Sequence, residues 1–138
     1  MCESEFVLAI DAGTHRFTAV TACAAPSGRI EVASFAVGGG RDSTAVLAVV
    51  TADGDLLFGD EAEQTAARHP ERALRDVVGR IGDDVPLVVG GYAMPAEDVL
   101  ARLVLWVTAA ASAVHGARPA SIALTHPAGW RGHRLGLV

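Results

Sequence analysis

The 138-residue chain contains no lysine; all 11 of its basic residues are arginines. Whatever chemistry it performs is done without a side-chain amine. Aromatic residues make up only 5%, with a single tyrosine. There is no run of basic residues, and 16 acidic residues give a formal net charge of −5. A chain of that sign without a basic patch lacks the electrostatic footprint of general nucleic-acid or anionic-membrane binding. Two cysteines, Cys2 and Cys23, stand too far apart for a CxxC pair, so neither a disulfide framework nor a zinc knuckle is indicated and a reducing compartment is expected. The longest apolar stretch, Val99 to Val114, is interrupted by Arg102 and falls short of the about 20 residues of a bilayer span. Met1 to Glu5 carries two acids and no base, unlike the start of a secretory signal. The expectation is a soluble, cytoplasmic protein that binds neither nucleic acid nor membrane.

What is present describes a folded domain. Hydrophobic residues reach 51% and mean hydropathy is +0.35, which excludes intrinsic disorder. The length suits one domain of the usual ~100–200 residues.

The first third reads as strands. Phe6 to Ile10 is a continuous apolar run, consistent with a strand buried on both faces. Asp11 to Arg16 breaks it with turn residues, Phe17 to Ala24 resumes, and Pro26-Ser27-Gly28-Arg29 turns into a third strand over Ile30 to Val37. Short spacing and tight turns predict an antiparallel meander. Gly38 to Ser43 reads as a flexible loop and Thr44 to Val50 as a further strand. Asp53-Gly54 is a hairpin signal that returns the chain through Leu56-Leu57-Phe58. Short helices are predicted over Glu61 to Arg68, capped by Asp60, and over Glu71 to Arg80 beyond the Pro70 break. A brief strand follows at Val85 to Val89. A long, largely buried helix then runs from Ala96 to His115, begun by Pro95 and stopped by Gly116. Ser121 to Thr125 closes as a strand, and Arg131 to Val138 begins another helix. The fold class is α/β: a mixed sheet opened by an antiparallel meander, with helices following.

The chemically informative segment is Ala9-Ile10-Asp11-Ala12-Gly13-Thr14-His15. A strand delivers a carboxylate to its end, a glycine permits close backbone approach, and the turn offers a hydroxyl and amide donors. That combination suits a Mg–phosphate. It equally suits an ordinary hairpin turn, in which Asp and Gly are common for conformational reasons.

The order of the other segments extends the reading. Val7 to Thr14, then Thr44 to Val50, Asp53-Gly54 through Gly59-Asp60-Glu61-Ala62, His69-Pro70-Glu71-Arg72, Arg80-Ile81-Gly82-Asp83, Tyr92-x-x-Pro95-x-Glu97 and Ile122 to Ala128 together resemble the N-terminal part of Hsp70-type chaperones in the actin-like ATPase superfamily. The His126-Pro127-Ala128-Gly129-Trp130 ending is closer to divergent actinobacterial Hsp70-like proteins. It is also similar, more weakly, to type VII secretion-associated proteins of those bacteria. The resemblance implies a single domain over residues 1–138: an incomplete actin-like, ribonuclease-H-like lobe I with a small subdomain inserted at about 38–95. It implies ATP or ADP with Mg as the ligand. Asp11 would hold Mg through water, Gly13, Thr14 and His15 would contact phosphate, and Pro127 would relay nucleotide state. The family's second lobe and peptide-binding domain have no counterpart in this sequence, so the lobe should expose apolar surface through which it would form a homodimer.

Two departures matter. Family members carry a second threonine where this chain has His15. They also carry a catalytic lysine at the place of Val78, and no lysine exists to replace it. Such an electrostatic group contributes about 10²–10³-fold in rate, so the chain is not expected to hydrolyse ATP by itself. Arg75 or Arg80 would be the nearest cations, though a guanidinium is no positional equivalent of an ammonium. The alternative is a non-catalytic actin-like scaffold or a secretion-associated protein-interaction module. Sugar and acetate kinases share the D-x-G-T turn, but the Gly59 to Ala62 segment and the Pro70 break favour the chaperone branch.

The remaining reactive side chains have ordinary explanations. His126 and His133 lack a third metal ligand. His69 and His115 fall at predicted helix ends. Ser43, Ser112 and Ser121 lack a paired base, and Asp83-Asp84 reads as a solvated turn. Trp106 is expected in the core, and Trp130 is a candidate exposed contact.

Overall fold

Strands β1 (Phe6–Ala12), β2 (Arg16–Ala24) and β3 (Ile30–Phe35) form the expected antiparallel meander in the computed structural model, which describes residues 5–37 and 43–138. The register sets Asp11 opposite Thr18 and Ala12 opposite Phe17. Strand β10 (Ser121–Leu124) lies parallel to β1 on its other side, giving the order β10-β1-β2-β3. The sheet is therefore mixed and the fold α/β.

Between β3 and β10 the chain builds smaller units. The predicted strand at Thr44 to Val50 divides in two. β4 (Thr44–Ala45) pairs with the start of β2, while β5 (Ala48–Val50) joins β6 (Leu56–Leu57) and β7 (Ala73–Leu74) in a separate sheet. The Asp53-Gly54 turn closes β5 onto β6 as expected, with Gly54 at φ +85°. Helix α1 (Gly59–Arg68) follows, with Asp60 and Glu61 in its first turn rather than at the cap, which is Phe58. A third pair, β8 (Leu87–Val89) and β9 (Tyr92–Met94), turns through Gly90 and Gly91, both at positive φ. Of the loop expected from Gly38 to Ser43, residues 38–42 lie outside the described residues.

The helix expected over Glu71 to Arg80 does not form. Short 3-10 turns at Pro70–Arg72 and Val78–Arg80 flank β7 instead. Leu74, Val77, Val78 and Ile81 are all buried, a spacing that imitates one face of an α-helix. Asp76, at φ +56°, holds the chain out of helical conformation between them.

Helix α2 (Ala96–His115) begins directly after Pro95, whose carbonyl accepts from the amides of Asp98 and Val99. It ends at Gly116, which takes φ +70° and donates to the Ser112 carbonyl, the left-handed close that glycine favours. Its buried stripe is Ala96, Val99, Leu100, Leu103, Val107 and Ala111. These pack with Phe6, Leu8, Ile10 and Ala12 of β1 and with Phe17 and Ala19 of β2 in one core. Trp106 is half-buried, its ring centroid 5.6 Å from Phe58 and 6.5 Å from Phe17. The helix is not largely buried, as expected, but covered along one stripe, leaving Leu105 67% exposed. By length and composition alone it is long and apolar enough to cross a membrane, a test that the core helix of a two-layer domain also passes. The helix has the bounds expected from the sequence; what is corrected is that the Val99 to Val114 apolar stretch lies within a helix of 20 residues, long enough by that test.

Burial in β1 alternates rather than running continuously. Phe6, Leu8, Ile10 and Ala12 face the core, and Val7 and Asp11 are exposed on the opposite side. The expectation of a strand buried on both faces is thus corrected: the core lies against one face only. Successive strand residues point to opposite faces, so the open face carries Val7 beside Ala22 and Val32. Val32 on the edge strand is 67% exposed. Cys23 is disulfide-bonded, contrary to the expectation of unpaired thiols; Cys2 lies outside the described residues.

Candidate functional site

Asp11 stands on the open face at the carboxyl end of β1, where β1 and β10 run parallel and both end at one edge. Open α/β sheets bind ligands beyond the carboxyl ends of their parallel strands. The Thr125 amide continues the pairing past β10 by donating to the Ile10 carbonyl at 3.0 Å. That contact sets the Thr125 side chain beside Asp11. Its hydroxyl donates to Asp11 Oδ1 at 2.6 Å and accepts from the Ala12 amide at 3.2 Å. Asp11 is exposed, and Oδ2 takes no hydrogen bond among the described residues. Thr125 is the residue the sequence reading missed: it was quoted only as the end of a strand, and its partner is 114 positions away.

The turn itself is tight. The Gly13 amide donates to the Arg16 carbonyl at 2.9 Å, and a Cβ on Gly13 would lie 2.8 Å from that same oxygen. Glycine here is required by the hairpin, and its amide is already engaged within it. Thr14 and His15 are exposed, and their amides have no acceptor among the described residues. The His15 carbonyl accepts from Val46 at 2.8 Å, and Arg16 grips Ser43 through Nε to Oγ at 2.7 Å and through Nη2 to the carbonyl at 2.6 Å. Both contacts anchor the turn to the segment that leads into β5. Asp11, Thr14 and His15 are neighbours along this one turn, and Gly13 shapes the turn, its amide engaged by Arg16.

Beside Thr125 opens a cavity of about 190 Å³ lined by Leu124, Thr125, His126, Trp130, Leu135 and Val138. Trp130 forms its wall, 8% exposed and stacked on His126 with ring centroids 6.0 Å apart and planes inclined by 9°. Trp130 is thus a buried residue and not the exposed contact considered from the sequence. His126 Nδ1 lies 3.0 Å from the Pro127 carbonyl oxygen, and Pro127 itself is half-buried directly after this strand end.

The other chemical candidates are dispersed. Val78 is 1% exposed and belongs to the core, so its own side chain offers no charge or hydrogen bond to Asp11. Arg80 donates from Nε to Asp83 Oδ2 at 2.5 Å and from Nη2 to the Val85 carbonyl at 3.4 Å; it is tied to its own loop. Asp83 is accordingly an ion-pair partner and not half of an acid pair. His69 pairs with Glu71 at 3.3 Å. That contact and a backbone hydrogen bond at Glu71, the larger cause, hold the Glu71 carboxyl below its ordinary range. His115 stacks on Phe6 with centroids 4.0 Å apart, and its buried Nδ1 has no hydrogen-bond partner among the described residues.

Among the described residues no three His, Cys, Asp or Glu side chains gather as a metal site. Asp11 is therefore not part of a cage for a bare ion. Mg, however, is commonly held by one or two carboxylates together with substrate phosphates and water. A carboxylate oxygen without a hydrogen bond and two amides without acceptors among the described residues, all in one turn, fit that arrangement. Comparison with protein-family models and with curated proteins finds no match.

Proposed function

We propose that this chain is the first part of an Hsp70-like, actin-like nucleotide-binding lobe that holds Mg-bound ATP or ADP without hydrolysing it rapidly. The observation that carries the reading is Asp11. Its carboxylate stands at the shared end of two parallel strands, oriented through one oxygen by Thr125 and open at the other. The Thr14 and His15 amides of the same turn have no acceptor among the described residues, and donors of this kind suit phosphate oxygens. A meander followed by a parallel strand beside β1 supports the lobe assignment, and the small sheets formed by β5 to β9 would belong to the subdomain that the resemblance implies at about 38–95.

A bound nucleotide would supply the phosphates and the metal; the protein would orient and hold them. Asp11 accepts from the metal's waters, the turn amides donate to phosphate, and Thr125 keeps the carboxylate aimed. The non-hydrolytic reading is favoured for turnover because Val78, at the place of the family's lysine, is buried in the core and Arg80, a cation considered in its stead, is committed to Asp83. Loss of a cation at that place removes a contribution of about 10²–10³-fold.

Titration of MgATP and MgADP, followed by tryptophan fluorescence and calorimetry and paired with phosphate-release kinetics, tests this. Saturable binding that Asp11→Asn abolishes, with turnover close to the uncatalysed rate, is the expected result. Absence of binding to both nucleotides would reduce the protein to a plain scaffold. Rapid turnover would overturn the non-hydrolytic half of the reading.

A further inference from the structure

A second cleft, distinct from the Asp11 turn, gathers positive charge in a chain whose net charge is −5. It measures about 370 Å³ and is lined by Gly82, Gly129, Arg131, His133 and Arg134. No carboxylate lines it. Arg131 and Arg134 have no ion-pair partner among the described residues, whereas Arg80 is paired and Arg16 is held by Ser43. The nearest acid in sequence to Gly82, Asp83, is already neutralised by Arg80 at 2.5 Å.

The wall of the cleft depends on a glycine. Gly82 has φ +90°, and a Cβ there would lie 2.9 Å from Arg134 Cγ and 3.3 Å from Arg134 Nε. The Arg134 stem crosses the bare backbone of this turn, which no other residue type permits without displacing it. Gly129, on the other side, has open space where a side chain would stand. The amides of Gly82 and Gly129 have no acceptor among the described residues.

We propose that this cleft binds a phosphate-class oxyanion. Guanidinium groups match tetrahedral oxyanions with paired, charge-assisted hydrogen bonds, and here two of them and an imidazole share one wall. Small glycine turns let an anion approach backbone donors that larger residues would screen. The site does not depend on the nucleotide reading, because none of its residues belongs to the Asp11 turn.

The test is a titration of inorganic phosphate, and separately pyrophosphate, into isotope-labelled protein at matched ionic strength. Amide shifts of Gly82, Gly129, Arg131 and Arg134 are followed, with sodium chloride as the control. Saturable shifts centred on these residues are expected, with pyrophosphate the tighter ligand. Arg131→Gln with Arg134→Gln should weaken binding by about tenfold or more, since charge-assisted bonds are lost. Gly82→Ala should weaken it with both arginines intact. Asp11→Asn should leave it unchanged, which separates this site from failure of the nucleotide proposal. Adenosine monophosphate in place of phosphate distinguishes the source of the anion: shifts confined to the same residues assign the phosphate alone. Equal shifts with chloride, or an unaltered titration in a folded double variant, would overturn the site.

Discussion

The Thr125 hydroxyl bridges Asp11 and the backbone of Ala12, donating to the carboxylate at 2.6 Å and accepting from the amide at 3.2 Å. One side chain thus fixes both the candidate acid and the strand end that presents it. Thr125→Val removes the bridge at nearly constant volume. It should cost about 1 kcal/mol in urea unfolding and weaken MgATP binding, while Thr125→Ser retains both. Equal nucleotide affinity in the valine and wild-type proteins would separate Thr125 from the site.

The hairpin that carries Asp11 has no room at Gly13. Gly13→Ala places a methyl 2.8 Å from the Arg16 carbonyl oxygen, so the strands must part or shift. A destabilisation of about 1–3 kcal/mol is expected, read from chemical denaturation. An alanine variant as stable as the parent would show that the turn opens freely.

Helix α2 offers an internal comparison. Leu103 is 2% exposed in the core and Leu105 is 67% exposed two residues later. Leu103→Ala should cost about 2–5 kcal/mol, and Leu105→Ala should stay within about 0.5 kcal/mol. Paired melting curves decide it, and comparable losses at both positions would mean that the outer face is covered in solution.

Glu71 titrates below its ordinary value because of a backbone hydrogen bond at its own residue and, secondarily, the His69 side chain. A carboxyl whose pKa is lowered on folding favours the native state above the unfolded pKa. That contribution disappears as pH falls through the folded value. The group is fully exposed, so the effect should appear in the Glu71 carboxyl titration rather than in the melting temperature. His69→Ala should return the midpoint only part of the way, since the larger cause lies in the backbone. A full return would reverse that order.

Much of the architecture was legible where local chemistry decides it. The meander, the Asp53-Gly54 hairpin and the limits of α2 at Pro95 and Gly116 follow from turn residues and strand runs. Residues 71–80 were misread because Leu74, Val77, Val78 and Ile81 repeat with helical spacing although their burial is achieved by irregular backbone. The division of Thr44 to Val50 depends on which strands its two halves meet, and local pattern carries no such information. The one-sided burial of β1 is likewise set by where α2 lies. In the candidate site, Asp11 and its turn announced themselves by composition, whereas Thr125 acquires its role only from a partner brought alongside by β-sheet register. The arginine-lined cleft escaped for the same reason, since Gly82 and Arg134 meet only in the fold.

Tyr92 lies across the Asp53-Gly54 turn, its hydroxyl donating to the Ala52 carbonyl at 3.2 Å and its ring filling the space that a side chain at Gly54 would take. Because it is the chain's single tyrosine, its ultraviolet signature reports on one junction alone, the seam between the β5–β6 and β8–β9 hairpins. A spectroscopist can therefore watch that seam loosen while Trp130, stacked on His126 beyond the end of β10, still signals an intact sheet edge.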